Sequence, residues 1–123
     1  MTKGVLLCVD DNADFCRILI DFFTRRGYDA ISALSAEEGY KIIKDKARKV
    51  GMLLLDLRME GMGGLGLLRK LKEEKIDIPT LVLTAFSQDI PALEQEHFKL
   101  CGYFEKPVDL MAVYEAVRKF IKK

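Results

Sequence analysis

Short apolar segments alternate with amphipathic segments five times along the chain, and this alternation restricts the fold more than any other feature. Residues 5–9, 52–55 and 80–83 are the clearest apolar segments. A short segment that is apolar throughout is typical of a strand buried on both faces, as in a parallel sheet between layers of helices. Short connections and right-handed crossovers then place helices on both sides of the sheet. The sequence therefore predicts an α/β fold with a single doubly wound domain.

The first half of the chain carries weaker signals for one more strand and two helices. Residues 28–33 predict a short strand at the sheet edge. The helix before it is predicted to stop at Gly27. Ser35 and Glu38 form a capping box that predicts a second helix extending to about Arg48.

The second half predicts three further helices and a fifth strand. The third helix is predicted to end near Lys75. Pro91 suits the first turn of a fourth helix, from which Leu100 is predicted to face inward. Residues 103–104 predict the fifth strand, and Asp109 is the predicted cap of the last helix.

Composition fits one globular domain. The chain has 123 residues, of which 50% are hydrophobic and 32% charged. A domain of this size buries roughly two-thirds of its unfolded surface, so it needs no disulfide or metal for stability. We expect one domain over residues 1–123 and no output domain.

Charge, hydropathy and cysteines favour a cytoplasmic protein. The 20 basic and 19 acidic residues give a net charge of +1, which offers no argument for direct nucleic-acid or membrane binding. No apolar run approaches the roughly 20 residues that span a bilayer. Residues 1–4 lead directly into a strand and leave no room for a signal peptide. Cys8, Cys16 and Cys101 fit reduced, buried thiols, and no C-x-x-C pair supports a redox role.

Polar residues follow four of the five predicted strands. Asp10 and Asp11 follow the first, Asp56 the third, Thr84 the fourth and Lys106 the fifth. The carboxyl ends of parallel strands share one edge, where ligands bind. Carboxylates ~4 Å apart repel by about 4 kcal/mol at an effective dielectric constant near 20, so a cation is expected among them. Oxygen ligands suit Mg²⁺, and the hydroxyl and the ammonium suit phosphoryl oxygens.

Each of these residues also has a simpler role. Asp11 or Asn12 would serve as the cap of the first helix. Asp56 and Thr84 would simply end their strands, and Lys106 would be a solvated lysine. The coincidence of all of them on four strands favours one shared site, in which Asp56 can act as a phosphoryl acceptor.

The pattern Asp10-Asp11, Asp56, Thr84 and Lys106-Pro107 resembles the response-regulator receiver domain of two-component signalling, over nearly the whole chain. The resemblance implies a flavodoxin-like fold with five helices and a five-stranded sheet of order 2-1-3-4-5. It implies that Asp56 is the phosphoacceptor and that Asp10 and Asp11 bind Mg²⁺, with Mn²⁺ as an alternative ion.

The resemblance implies further roles. The backbone carbonyl of Arg58 is a metal contact, Thr84 is the switch hydroxyl and Tyr103 changes rotamer. Lys106 binds phosphate, and the Lys106–Pro107 bond is predicted to be cis so that the lysine points back to the pocket. Glu60 stands where the family commonly has proline, which predicts a more flexible loop after Asp56.

By this resemblance the chain is a phosphorylation switch and not a conventional enzyme. The phosphoryl donor is a histidine kinase or a phosphotransfer protein. The output is a downstream target or an output domain, met through the face formed by helix 4, strand 5 and helix 5. One alternative is a receiver-fold binding module that works without phosphate. Another is an aspartate-based phosphatase, which would need an aspartate where this chain has Arg58.

The resemblance also implies two positions that flank the approach of water to the phosphoryl group and so set its lifetime. Arg58 and Phe86 each lie two residues beyond a site residue, and neither has a carboxylate or amide that would orient a water molecule. Ala85 is small and leaves room for the phosphoryl group. We therefore predict slow self-dephosphorylation.

Overall fold

The structure, a computed structural model, describes residues 4–121 and contains one five-stranded parallel sheet of order β2-β1-β3-β4-β5. The strands are β1 (Val5–Val9), β2 (Ala30–Ala33), β3 (Val50–Leu55), β4 (Thr80–Thr84) and β5 (Leu100–Glu105). The helices are α1 (Ala13–Arg25), α2 (Ala36–Lys44), α3 (Gly63–Glu73), α4 (Ile90–Gln95) and α5 (Leu110–Val117), and a 3-10 turn (Ser87–Asp89) precedes α4. The predicted fold class and strand order are confirmed. The expectations about residues 1–3 and about the chain end at Lys123 fall outside the described range.

The central strands alternate their side chains between two apolar layers, which explains why their sequences are mostly apolar. In β1, Leu6 and Cys8 pack towards α1 and α5, whereas Leu7 and Val9 pack towards α2, α3 and α4. The same alternation continues through the other central strands. Both faces are therefore covered, and the open carboxyl edge of the sheet is left for polar side chains.

Helix caps follow the sequence closely. Asn12, and not Asp11, caps α1, because its side-chain oxygen accepts a hydrogen bond from the backbone N–H of Phe15 at 3.1 Å. Ser35 caps α2 and Asp109 caps α5, as predicted. The side chain of Asp11 is exposed and makes no cap contact, which leaves it free for another role.

Two boundary predictions in the first half of the chain are wrong. Helix α2 ends at Lys44 instead of about Arg48, because Asp45 turns to an extended backbone and its carboxylate accepts from Ala47 N–H at 2.9 Å. Strand β2 begins at Ala30, so Tyr28 lies before it. The Tyr28 ring is buried, and its hydroxyl donates to the carbonyl of Ile121 at 3.1 Å.

The boundaries around the fourth helix also differ from the prediction. Helix α4 stops at Gln95, and the left-handed backbone of His97 (φ 61°) separates it from β5. Strand β5 is longer than residues 103–104, because Leu100 begins that strand instead of facing inward from a helix. Helix α3 ends at Glu73, two residues before the predicted Lys75.

The structure also describes the three cysteine thiols and the lengths of the helices. Cys8 and Cys16 are buried and Cys101 is partly buried, and all three are free. Between residues 4 and 121, no helix combines the length and the apolar character that crossing a bilayer demands.

Candidate functional site

Three carboxylates meet at the carboxyl edge of the sheet. Backbone hydrogen bonds place two of them: Asp10 N–H donates to Ala33 O at 3.1 Å, and Asp56 N–H donates to Val9 O at 3.0 Å. Asp10 is 1% exposed and Asp56 is 7% exposed, whereas Asp11 is exposed. One oxygen from each of the three carboxylates lies within 4.8 Å of the others. The structure thus brings together the acidic residues that the sequence singled out.

Lys106 supplies a positive charge between two of these carboxylates. Its Nζ lies 2.6 Å from Asp10 Oδ2 and 3.7 Å from Asp56 Oδ2. The backbone N–H of Lys106 donates to Thr84 O at 2.8 Å, which fixes the end of β5 against β4. The ammonium also lies 4.4 Å from the centre of the Phe15 ring. The Lys106–Pro107 bond is cis, as predicted.

The environment of Asp56 disfavours its negative charge. Burial raises the pKa of the Asp56 carboxyl above its ordinary value of 3.8, and the neighbouring charge of Asp10 raises it further. Lys106 and the backbone N–H of Arg58 act in the opposite direction without cancelling the rise. A cation bound beside Asp56 would therefore stabilise the charged form of its carboxylate.

The two residues with predicted switch roles lie on neighbouring strands. Thr84 is buried at the end of β4, where its hydroxyl oxygen accepts from the backbone N–H of Phe86 at 2.9 Å. Tyr103 lies on the edge strand β5, opposite Val82 in the register, and its side chain is 50% exposed. The Thr84 hydroxyl thus lies in the interior, whereas the Tyr103 ring faces solvent.

Arg58 and Phe86 contact each other, and Asp89 holds the arginine. The guanidinium carbon of Arg58 lies 3.8 Å from the centre of the Phe86 ring. Nε and Nη2 of Arg58 donate to the two carboxylate oxygens of Asp89 at 2.8 and 3.0 Å. Sequence reasoning missed Asp89. The available signal was that it is the first carboxylate after Thr84 in the chain.

The loop between β3 and α3 makes specific contacts, and its greater flexibility, expected from Glu60, stays a prediction. A side chain at Gly64 would have its Cβ only 2.1 Å from the carbonyl oxygen of Asp56, so this position requires glycine. The Glu37 carboxylate accepts from the backbone N–H of Met62 at 3.0 Å, a contact that the sequence did not reveal. The loop therefore packs directly against the backbone of Asp56.

The donor set of the three carboxylates fits a small divalent cation. All the candidate atoms are carboxylate oxygens, and their spacing lets one ion contact several of them. Hard oxygen ligands suit Mg²⁺ and Mn²⁺ better than softer metals. A nucleophilic carboxylate, a hydroxyl and an ammonium beside such a cation make a site suited to phosphoryl transfer.

Comparison with known proteins gives consistent matches. Residues 6–118 match the family model of the response regulator receiver domain. Transcriptional regulatory protein GlrR of Escherichia coli strain K12 is 30% identical over 112 residues, which are 91% of this chain but 25% of that protein. This chain thus spans about a quarter of the length of that curated relative.

Two solved structures extend the comparison. The response regulator receiver protein from Pseudomonas putida superimposes with a TM-score of 0.86 at 31% identity, over 97% of this chain and 98% of that chain. The response regulator protein TrrA from Thermotoga maritima, solved in complex with Mg²⁺-BeF, gives a TM-score of 0.80 at 26% identity, over 95% of this chain and 98% of that chain.

Proposed function

Because this chain belongs to the response regulator receiver domain family, we propose that it is a phosphorylation-controlled switch with Asp56 as its phosphoacceptor. Receiver domains are signalling switches and not conventional enzymes. The observation that carries the proposal is the grouping of Asp56 with Asp10, Asp11 and Lys106 at one edge of the sheet. We propose that residues 1–123 act as a single receiver domain.

The phosphoryl donor is a phosphohistidine of a histidine kinase or of a phosphotransfer protein, in the cytoplasm. A carboxylate oxygen of Asp56 attacks phosphorus, the P–O bond forms, and the P–N bond to the donor imidazole breaks. The imidazole leaves with the bonding electron pair and takes up a proton from solvent. Lys106 stabilises the charge on the transferred group, since its Nζ already lies 3.7 Å from Asp56.

Asp10, Asp11, Asp56 and the backbone carbonyl of Arg58 would hold Mg²⁺, with Mn²⁺ as an alternative. The ion supplies positive charge that offsets the charge of the carboxylates and of the phosphoryl oxygens. The Mg²⁺-BeF complex of TrrA supports this assignment by similarity.

Thr84 converts the modification into a conformational change. In the resting state its hydroxyl is engaged by Phe86 N–H, so turning towards phosphoryl oxygens on Asp56 releases that backbone contact. The loop before α4 then has new freedom, which biases an existing equilibrium of the exposed Tyr103 ring. A downstream protein or output domain would recognise the change on the face formed by α4, β5 and α5.

The first test asks whether Asp56 is the acceptor. With acetyl phosphate and Mg²⁺, we expect the wild-type chain to gain one phosphoryl group, measured by intact mass, and Asp56→Asn to gain none. Asp21→Asn is the matched control, because Asp21 is an exposed aspartate of α1 that pairs with Arg25 at 3.0 Å.

Two outcomes would contradict the proposal. Full modification of Asp56→Asn would place the acceptor elsewhere. No modification of the wild type, together with no Mg²⁺ binding by calorimetry, would favour a binding module that works without phosphate.

A further inference from the structure

We infer that Asp89 is a positioning residue for phosphoryl lifetime: it fixes Arg58 across Phe86 as a cover beside the phosphoacceptor. The inference rests on the proposed function, because the lifetime concerns a phosphoryl group on Asp56. Arg58 and Phe86 form the covering pair, and Asp89 holds the pair closed.

The cover begins at the phosphoacceptor itself. Arg58 lies two positions after Asp56 in the chain, so its side chain starts next to the phosphoacceptor. Its side chain extends to the loop after β4, where both donors of the guanidinium edge reach one carboxylate of Asp89 at 2.8 and 3.0 Å. Two parallel hydrogen bonds fix the plane of the guanidinium as well as its position. In that position it stacks on Phe86 with its central carbon 3.8 Å from the ring centre.

The Phe86 end of the cover is hydrogen-bonded to the hydroxyl of Thr84. Phe86 N–H donates to Thr84 Oγ1 at 2.9 Å, and Asp89 N–H donates to Phe86 O at 3.0 Å. The Arg58–Asp89 pair therefore joins the loop after β3, which begins with Asp56, to the loop after β4, the strand that ends on Thr84. Because β3 and β4 are neighbouring strands, a side chain that bridges the segments after them stands at the edge of the sheet beside Asp56, where we place the cover.

Loss of the phosphoryl group needs a water molecule on that approach. The water oxygen bonds to phosphorus, the P–O bond to Asp56 breaks, and the protons of the water pass to the released phosphate and to solvent. Neither the guanidinium of Arg58 nor the ring of Phe86 accepts a proton, so a closed cover hinders this step. Without Asp89, Arg58 keeps only its contact with the ring and samples other rotamers, which opens the approach.

The chain offers a matched control at the other end of α4. Arg69 donates to both carboxylate oxygens of Glu96 at 2.8 Å, the same arrangement as Arg58 with Asp89. The exposures are also similar, 58% and 33% for Arg69 and Glu96 against 51% and 31% for Arg58 and Asp89. Glu96→Gln therefore breaks an equivalent ion pair of α4 without touching the cover.

The first experiment measures the rate of phosphate loss after removal of the donor. We expect Asp89→Asn to lose phosphate about two- to fivefold faster than wild type, the range that an ion pair of this exposure allows. Arg58→Met should be as fast, the double variant should be no faster than either, and Asp89→Glu should restore part of the lifetime. Glu96→Gln should match wild type. Wild-type rates in Asp89→Asn, or equal acceleration in Glu96→Gln, would overturn the inference.

A second experiment tests the cover without phosphorylation, so that its failure is distinct from failure of the proposed function. The chain has no tryptophan, so Phe86→Trp introduces a single tryptophan at the cover, whose emission can be excited selectively beside the four tyrosines. Acrylamide quenching of this tryptophan should increase when Asp89→Asn is added and stay constant when Glu96→Gln is added. If quenching does not change when Asp89→Asn is added, Asp89 does not hold the cover, whatever the acceptor residue is.

Discussion

Replacing Asp56 with asparagine is expected to stabilise the fold at neutral pH, independently of any phosphorylation. The side chain of Asp56 is 10% exposed and carries a negative charge near Asp10. Asparagine has nearly the same shape and no charge. The variant therefore keeps the packing of the site while removing a charge that the folded state disfavours.

The size of the gain follows from the distances. The oxygens of Asp56 and Asp10 lie no more than 4.8 Å apart, which at an effective dielectric constant near 20 corresponds to about 3 kcal/mol of repulsion or more. Lys106 at 3.7 Å returns about 4 kcal/mol of attraction, so the two terms nearly cancel. What remains is the cost of burying an ion, which is still several kcal/mol after the protein has relaxed around it. We expect a net gain of about 1–3 kcal/mol in the free energy of unfolding.

The direction of the pKa shift fixes the pH dependence of this gain. The folded-state pKa of Asp56 is raised above 3.8, so the favourable contribution of its protonated form is complete below that value. The wild type loses that contribution as pH rises through the folded-state pKa. Asp56→Asn does not, so the difference in stability between the two proteins grows from near zero in acid to its full value at neutral pH.

Urea denaturation in EDTA, repeated from about pH 4 to about pH 8, measures this difference. Asp21→Asn serves as the control, since that aspartate is exposed and pairs with Arg25 on α1. An Asp56→Asn protein that is no more stable than wild type at neutral pH would refute the reasoning from burial and charge.

Three further predictions concern the same edge of the sheet. Asp11→Ala should weaken Mg²⁺ binding in calorimetry, because one of three clustered carboxylates is lost, and unchanged affinity would place Asp11 outside the metal site. Lys106→Met should lower the free energy of unfolding at neutral pH by about 1–3 kcal/mol, and added Mg²⁺ should restore part of it; a loss of the same size in acid would argue against a charge effect. Gly64→Ala should cost about 2 kcal/mol or more in urea denaturation, because the new Cβ meets the carbonyl of Asp56, whereas Gly66→Ala in the same helix meets only a flexible side chain and should cost less.

Most of the fold could be predicted from the sequence, because strands that are buried on both faces of the sheet have mostly apolar sequences. The central strands are apolar apart from Gly51, Thr80 and Thr84, and the residues after them stand at one edge whatever the details of packing. The fourth helix was predicted poorly because its end depends on a single left-handed residue, His97, which no apolar spacing reveals. Leu100 was assigned to the wrong element for the same reason.

The site was accessible only where its residues follow strands. Asp10, Asp56 and Lys106 each directly follow one, so topology alone brings them together. Asp89 and Glu37 act through contacts across 31 and 25 positions of the chain. Such contacts depend on how two loops approach each other, which the local sequence does not encode.

Helix α4 is held in place by side chains of residues that lie outside it. It has six residues, too few for a stable helix by itself. Arginines fasten it at both ends, through Asp89 just before it and Glu96 just after it, and Lys72 adds a hydrogen bond to the carbonyl of Glu96 at 2.6 Å. Since these links are exposed, salt screens them. Amide hydrogen exchange in α4 should therefore become faster as ionic strength rises, and more so than in α1. A partner that docked on α4 would raise the local stability of this helix through the contacts that the partner makes.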